Sequence, residues 1–352
     1  MINFENILKD TVNKLCSKNK GILAADESIG TIGKRFKDIN IDNNLENRIK
    51  YRHLLFNSPD LNKYISGVIT FDETIKSNYN NISLIKPLLD NNILVGIKVD
   101  MKTKPLYDTD NETITQGLDN LDDRCKEYFN LGARFAKWRG VLKISNNCPS
   151  DLAIRENAFA LARYASICIN NGIVPIVEPE ILMDGNHDLE TSKKITTKVI
   201  SIVYSELIRH NVCLKYTVLK PNMVRPGVDC PKKYSLNQIA LATREVLYDT
   251  VPCSVGGIFF LSGGLSEKRA TKLLELINSP TISHPWLISF SYGRALQASV
   301  LKVWKGDDNN IEKAQNMLLY RAYLNSRASG GYSIIESDDE NDQNLHDPNY
   351  VY

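Results

Sequence analysis

Short apolar runs in this chain stop at charged residues of the types that carbonyl chemistry uses. Lys220 follows Val218-Leu219 and precedes Pro221. Lys137 and Arg139 flank Trp138, and Glu178 and Glu180 straddle Pro179. Asp26 ends the run Gly21–Ala25 and leads into Glu27-Ser28. An unprotonated lysine attacks a carbonyl to form a Schiff base, and burial or a neighbouring cation favours that unprotonated state. Lys220 is the candidate nucleophile, with Lys137 and Arg139 as the neighbouring charges. The alternative is that Lys220 only forms an ion pair with Glu178 or Glu180. Two carboxylates two apart on a strand share a face. Beside several cations they can divide into an ionised partner and a proton carrier. Asp26 is a third acid/base candidate.

Two further groups are suited to anions. Ser262-Gly263-Gly264 offers a backbone nest, and Ser291-Tyr292-Gly293-Arg294 brings a guanidinium fork to it. Ser28, Lys34, Arg35 and Lys98 supply a second set of hydroxyl and cationic groups. Two anion sites flanking an amine point to a bisphosphorylated carbonyl substrate.

Residues so far apart in sequence need a scaffold that brings strand ends together. Eight runs recur: Gly21–Ala25, Ile65–Phe71, Ile93–Val99, Phe135–Trp138, Ile173–Val177, Thr217–Leu219, Gly256–Leu261 and Leu287–Phe290. They start roughly 30 to 45 residues apart, the spacing of parallel strands joined by crossover helices. Near-continuous apolarity fits strands buried on both faces. The segments between them read as helices; over Asp151–Asn170 the apolar positions recur near a 3.6 period, behind the cap Pro149-Ser150. Eight such units predict an α/β fold, a single (β/α)8 TIM barrel over residues 1–330, with the site where its strands end. The anion groups then follow strands seven and eight, the usual phosphate position of such barrels. A doubly wound sheet is the second choice, but no G-x-G-x-x-G follows any run. Residues 331–352, acidic from Glu336 to Asp342 and ending Asn349-Tyr350-Val351-Tyr352, read as a mobile C-terminal tail.

Composition narrows the function classes. The chain has 352 residues, with 43 Lys+Arg against 41 Asp+Glu, so no basic excess marks a nucleic-acid partner. No apolar run approaches the ~20 residues of a membrane helix. The N-terminus lacks a signal-peptide core, and its acids Glu5 and Asp10 argue against a transit peptide. Seven scattered cysteines and five dispersed histidines fit free thiols in a reducing, cytoplasmic setting and predict no metal site.

Taken together, the blocks resemble a known family. Gly21-Ile22-Leu23-Ala24-Ala25-Asp26-Glu27-Ser28, Phe135-Ala136-Lys137-Trp138-Arg139, Val174 to Leu182, Leu219-Lys220-Pro221-Asn222-Met223-Val224, Phe260 to Gly264 and Phe290 to Ala298 are similar to class I fructose-bisphosphate aldolase, in order and over nearly the whole chain. The resemblance implies reversible cleavage of fructose 1,6-bisphosphate without a cofactor, by a homotetramer. It makes Lys220 the Schiff-base lysine, Glu178 the acid/base that dehydrates the carbinolamine, and Asp26 the acceptor of the carbon-4 hydroxyl proton. Lys137 is then the neighbouring cation, with Glu180 and Arg139 as supporting charges. Ser262, Gly263, Gly264, Ser291, Gly293 and Arg294 fall on the 1-phosphate side, and Ser28, Thr31, Lys34, Arg35 and Lys98 on the 6-phosphate side. Tyr352 matches a tail tyrosine that enters the mouth. Departures from the family pattern are Lys215-Tyr216 in place of Glu-Gly before the lysine, Thr31 for Ser, Leu265 for Gln, and the acidic tail. Competing readings are another Schiff-base barrel enzyme, such as a transaldolase, and a scaffold that binds actin or the acidic tails of adhesins.

Overall fold

The computed structural model describes residues 4–336 and 344–348. Eight parallel strands close into a barrel: β1 Gly21–Ala24, β2 Ile65–Thr70, β3 Leu94–Lys98, β4 Ala133–Leu142, β5 Val174–Ile181, β6 Val218–Leu219, β7 Gly257–Phe260 and β8 Ile288–Tyr292. Each pairs with its sequence neighbour, and β8 returns to β1 with Ile22 opposite Ser291. Every one of the eight apolar runs thus overlaps a barrel strand, although the strands Ala133–Leu142, Val174–Ile181 and Ile288–Tyr292 run on past the apolar residues into charged or polar ones.

Parity along the strands explains how the site is made. Ile22 and Ala24 of β1, Ile69 of β2, Phe135 of β4, Val174 and Ile176 of β5, Val218 of β6 and Phe259 of β7 form one buried cluster. This is the barrel interior. The alternate residues, such as Leu23, Val68, Val95 and Ile97, pack outward into the larger core shared with the helices. A strand repeats its facing every two residues. Continuing the interior series toward the strand ends gives Asp26, Lys137 and Arg139, Glu178 and Glu180, and Lys220. The same strand face is therefore apolar at one end of the barrel and charged at the other.

The apolar end is plugged by the helix Glu5–Leu15, whose buried Leu8, Val12 and Leu15 belong to the interior cluster. Their i, i+4, i+7 spacing gives one apolar stripe. The plug is tied to the beginning of β6: Tyr216 Oη donates to Glu5 Oε1 at 2.8 Å, and Lys215 Nζ lies 3.4 Å from the same atom. The unusual Lys215-Tyr216 pair thus anchors the plug. Space at this level is tight, since a Cβ on Gly96 would lie 2.2 Å from the Phe135 ring.

The crossover helices are capped as their sequences direct. The helix Asp151–Asn170 begins where Ser150 Oγ accepts from Ala153 N at 3.1 Å. It buries Ile154, Ala158, Leu161, Ala165 and Cys168, while Leu152 and Phe159 face outward. All seven cysteines are free. The last helix, Ile311–Ser329, ends at Gly330. Among the described residues no helix is long and apolar enough to cross a membrane.

Candidate active site

At the centre of the mouth, three lysines meet three carboxylates, all buried. Lys137 Nζ lies 3.0 Å from Asp26 Oδ2, 3.4 Å from Asp100 Oδ2 and 3.4 Å from Glu178 Oε2. Lys220 Nζ lies 3.1 Å from Glu178 Oε1. Lys98 Nζ lies 3.5 Å from Asp100 Oδ1, above the Phe71 ring. Glu178 therefore stands between the lysine of β4 and the lysine that follows β6. The backbone of Lys220 is fixed by its N–H, which donates to Val177 O at 2.8 Å. Beyond Glu178 on β5, Glu180 is paired with Arg139.

Burial alone would raise the pKa of Asp26, but the ammonium groups of Lys137, Lys220 and Lys98 outweigh it and hold the carboxyl well below its ordinary value. Glu180 behaves alike: burial pushes its pKa up, and Arg139, with Arg294 and Lys220 behind it, brings it below the usual range. Both side chains are thus carboxylates at neutral pH. Asp26 therefore has no proton of its own to give, and it strengthens as a base only as the cations beside it lose charge.

A cleft with ≈ 430 Å³ of empty space opens over this cluster. Asp26, Glu178, Glu180 and Lys220 form its floor, and Ser262, Gly263, Ser291, Gly293 and Arg294 form one wall. The wall suits an anion. Ser291 Oγ is buried and has no hydrogen-bond partner among the described residues. Gly263 and Gly264 take consecutive left-handed conformations, φ +53° and +80°, which a side chain would strain. Leu265, which follows them, packs into the core.

The second predicted anion group is spread over neighbouring pockets. Ser28, Thr31 and Lys34 line a separate pocket with Gly30, Phe71 and Lys102. There Ser28 Oγ and Thr31 Oγ1 lie 3.0 Å apart, so threonine preserves the hydroxyl contact. Arg35 lines the central cleft with Arg294 and pairs with Glu27, and Thr31, Lys34, Arg35 and Arg294 together line a further pocket against Asn344 to Asp347. Lys98 lies in the buried cluster with Asp100 and lines none of these pockets.

Several site residues escaped the sequence reading. Glu27 is held by Arg35, by Arg52 at 2.7 Å and by Gln297 Nε2 at 3.1 Å, and Gln297 also donates to Ala24 O at 2.7 Å. This network fixes the end of β1. Asp100 carries a visible signal, because Gly96, Lys98 and Asp100 share the parity of one strand face. Arg52, in the middle of the helix Leu45–Phe56, carries none.

Residues 344–348 lie across the mouth. Leu345 N donates to Gly264 O at 3.0 Å, and Arg294 donates to Leu345 O. His346 Nε2 lies 3.5 Å from Asp184 Oδ1, and Lys34 Nζ lies 3.9 Å from Asp347 Oδ2. Tyr352 falls outside the described residues.

With the geometry in place, comparison with known proteins decides the family. The family model of class-I fructose-bisphosphate aldolase, a glycolytic enzyme, matches residues 7–352. The chain belongs to the class-I fructose-bisphosphate aldolases. It is 53% identical to the fructose-bisphosphate aldolase of Schistosoma mansoni over 93% of this chain and 91% of that protein. To the cytosolic fructose-bisphosphate aldolase 4 of Arabidopsis thaliana it is 51% identical, over 95% of this chain and 86% of the relative. Among solved structures, the Plasmodium falciparum aldolase in complex with TRAP and a small-molecule inhibitor superposes with a TM-score of 0.93. It is 48% identical, over 95% of this chain and 97% of that one. The reaction of this aldolase is the reversible cleavage of fructose 1,6-bisphosphate to dihydroxyacetone phosphate and glyceraldehyde 3-phosphate, and class I is the metal-independent type. Among the described residues no group of three or more His, Cys, Asp or Glu is placed to hold a metal ion.

Proposed function

We propose that Lys220 is the covalent residue of this aldolase, served by Glu178 and Asp26. The observation that carries the reading is the 3.1 Å approach of Lys220 Nζ to Glu178 Oε1 on the floor of a cleft with an anion-suited wall. The amine attacks carbon 2 of the open-chain sugar, and Glu178 protonates the departing hydroxyl so that the carbinolamine becomes an iminium. Asp26 takes the proton of the carbon-4 hydroxyl. The carbon 3–carbon 4 bond breaks, glyceraldehyde 3-phosphate leaves, and the electron pair is stored as an enamine on Lys220. Tyr352 then protonates carbon 3, and hydrolysis frees dihydroxyacetone phosphate and the amine. Lys137 stabilises the carboxylates throughout, with Arg139 and Glu180 as a supporting pair. The 1-phosphate sits against Ser262, Gly263, Gly264, Ser291, Gly293 and Arg294, and the 6-phosphate toward Ser28, Thr31, Lys34 and Arg35, with Lys98 acting on it only as a charge from the buried cluster beneath.

Borohydride reduction in the presence of dihydroxyacetone phosphate, followed by peptide mapping, tests the assignment. Label on Lys220 is expected. Label on another lysine, or none in active enzyme, refutes it and leaves Lys220 as an ion-pair residue. Prolonged EDTA treatment is expected to leave cleavage intact. Deleting Tyr352 is expected to slow turnover by about 10²-fold while trapping persists, the loss of a positioned acid.

The family also supports a cytosolic homotetramer, to be checked by light scattering. A second role rests on the Plasmodium falciparum neighbour, which is in complex with TRAP. We infer that this chain binds an acidic adhesin tail, with actin as a further partner. Pull-downs with each, in the presence and absence of fructose 1,6-bisphosphate, test the binding apart from catalysis.

A further inference from the structure

Arg225 stands five residues beyond Lys220, outside both anion groups read from the sequence. The segment leading to it is held firmly. Asn222 Oδ1 accepts from Ile181 N at 2.9 Å, and Val224 N donates to Thr243 Oγ1 at 3.0 Å. Arg225 is therefore delivered to a fixed place, behind the wall of the cleft and not on its lining. There its Nη2 donates to Gly263 O at 2.5 Å. Gly263 has φ +53° and forms part of the wall itself. A trans peptide is planar, so drawing the Gly263 carbonyl toward Arg225 turns the Gly264 N–H the opposite way.

We propose that Arg225 is a positioning residue for the phosphate end of the cleft. It fixes the Gly263–Gly264 peptide, and its charge reinforces that of Arg294. The proposal rests on the reading of this wall as a phosphate site. It has electrostatic support: burial lowers the pKa of Arg225, as do the nearby charges of Arg269 and Arg294, bringing it to about 10, while Glu180 pulls more weakly the other way. A guanidinium crowded by two others gains from an anion in front of them.

Arg225→Gln and Arg225→Lys, with Arg294→Ala as reference, test this by steady-state kinetics and by inhibition with inorganic phosphate. For Arg225→Gln, KM for fructose 1,6-bisphosphate and the phosphate inhibition constant are expected to rise about tenfold, the loss of one charge-assisted contact, with kcat within about twofold. Arg225→Lys keeps the charge but not the fork and is expected to fall between Gln and the parent, with an unchanged melting temperature. Should Arg225→Gln fail to fold, the lysine variant's KM carries the test, with a rise supporting the proposal and a parental value overturning it. Parental constants in Arg225→Gln, or a fall in kcat alone, overturn the role of Arg225. If Arg294→Ala is also unchanged, it is the phosphate-site reading that fails.

Discussion

At the centre of the mouth Lys98, Lys137 and Lys220 face Asp26, Asp100 and Glu178, cation for carboxylate. At its edge Arg225 is crowded by Arg269 and Arg294, and Glu180 answers them only in part. The first group is close to neutral and buried, so a proton can be relocated within it without stranding a charge in a dry interior. The second is biased toward positive charge and reaches the cleft through Arg294, so it gains most when an anion arrives from outside. The balanced group suits bond making, and the biased one suits holding.

Removing the amine is the most severe way to break the first group. Lys220→Met is expected to reduce cleavage by at least about 10³-fold, as loss of a nucleophile does, and to abolish borohydride trapping. Lys137→Met strikes balance instead of bond making. Three carboxylates lose the cation they share, and breaking a buried ion pair costs about 3–5 kcal/mol. Urea unfolding should register that loss. A variant as stable as the parent would show that the cluster does not need neutrality.

Arg294→Ala tests the opposite expectation for the edge. Affinity should suffer, with a KM increase of about 30-fold or more from losing a charge-assisted phosphate contact, while stability moves little. A large stability loss would make the edge as structural as the centre.

The smallest effect concerns acid. Asp26 has a folded pKa below its ordinary 3.8, so its contribution is complete above that value and is lost as pH falls through the folded pKa. Stability should hold from neutrality to about pH 4 and decline below it, by up to about 1.4 kcal/mol per pH unit for each such proton. Asp26→Asn should flatten this decline when unfolding is measured between pH 2 and 5.

The barrel was legible because its strands must be buried on both faces, and burial leaves a continuous apolar run. Asp26, Lys137, Glu178 and Lys220 were legible because they end those runs. Parity would have added Asp100. The ion pairs of Arg35 and Arg52 with Glu27 were not legible. The long arginine side chains reach from helices to Glu27, and that reach depends on how the helices Ile29–Lys37 and Leu45–Phe56 lie against β1. No local periodicity encodes that. Arg225 escaped for a related reason, since its partner Gly263 lies on the next strand's turn.

The pairing of β1 with β8 has a consequence for the making of the protein. Ile22 and Ser291 meet across nearly the whole chain, and Asp26 meets Ser291 and Arg294 in the cleft only after they do. Contacts this distant in sequence form late, because a long loop must close before they repay its entropy. During synthesis, Lys220 and its carboxylates therefore emerge from the ribosome well before they can act. Until β8 arrives, the chain presents two unpaired strand edges, a hazard for self-association. Chains halted before residue 288 should yield aggregate, with no fraction of weakened enzyme.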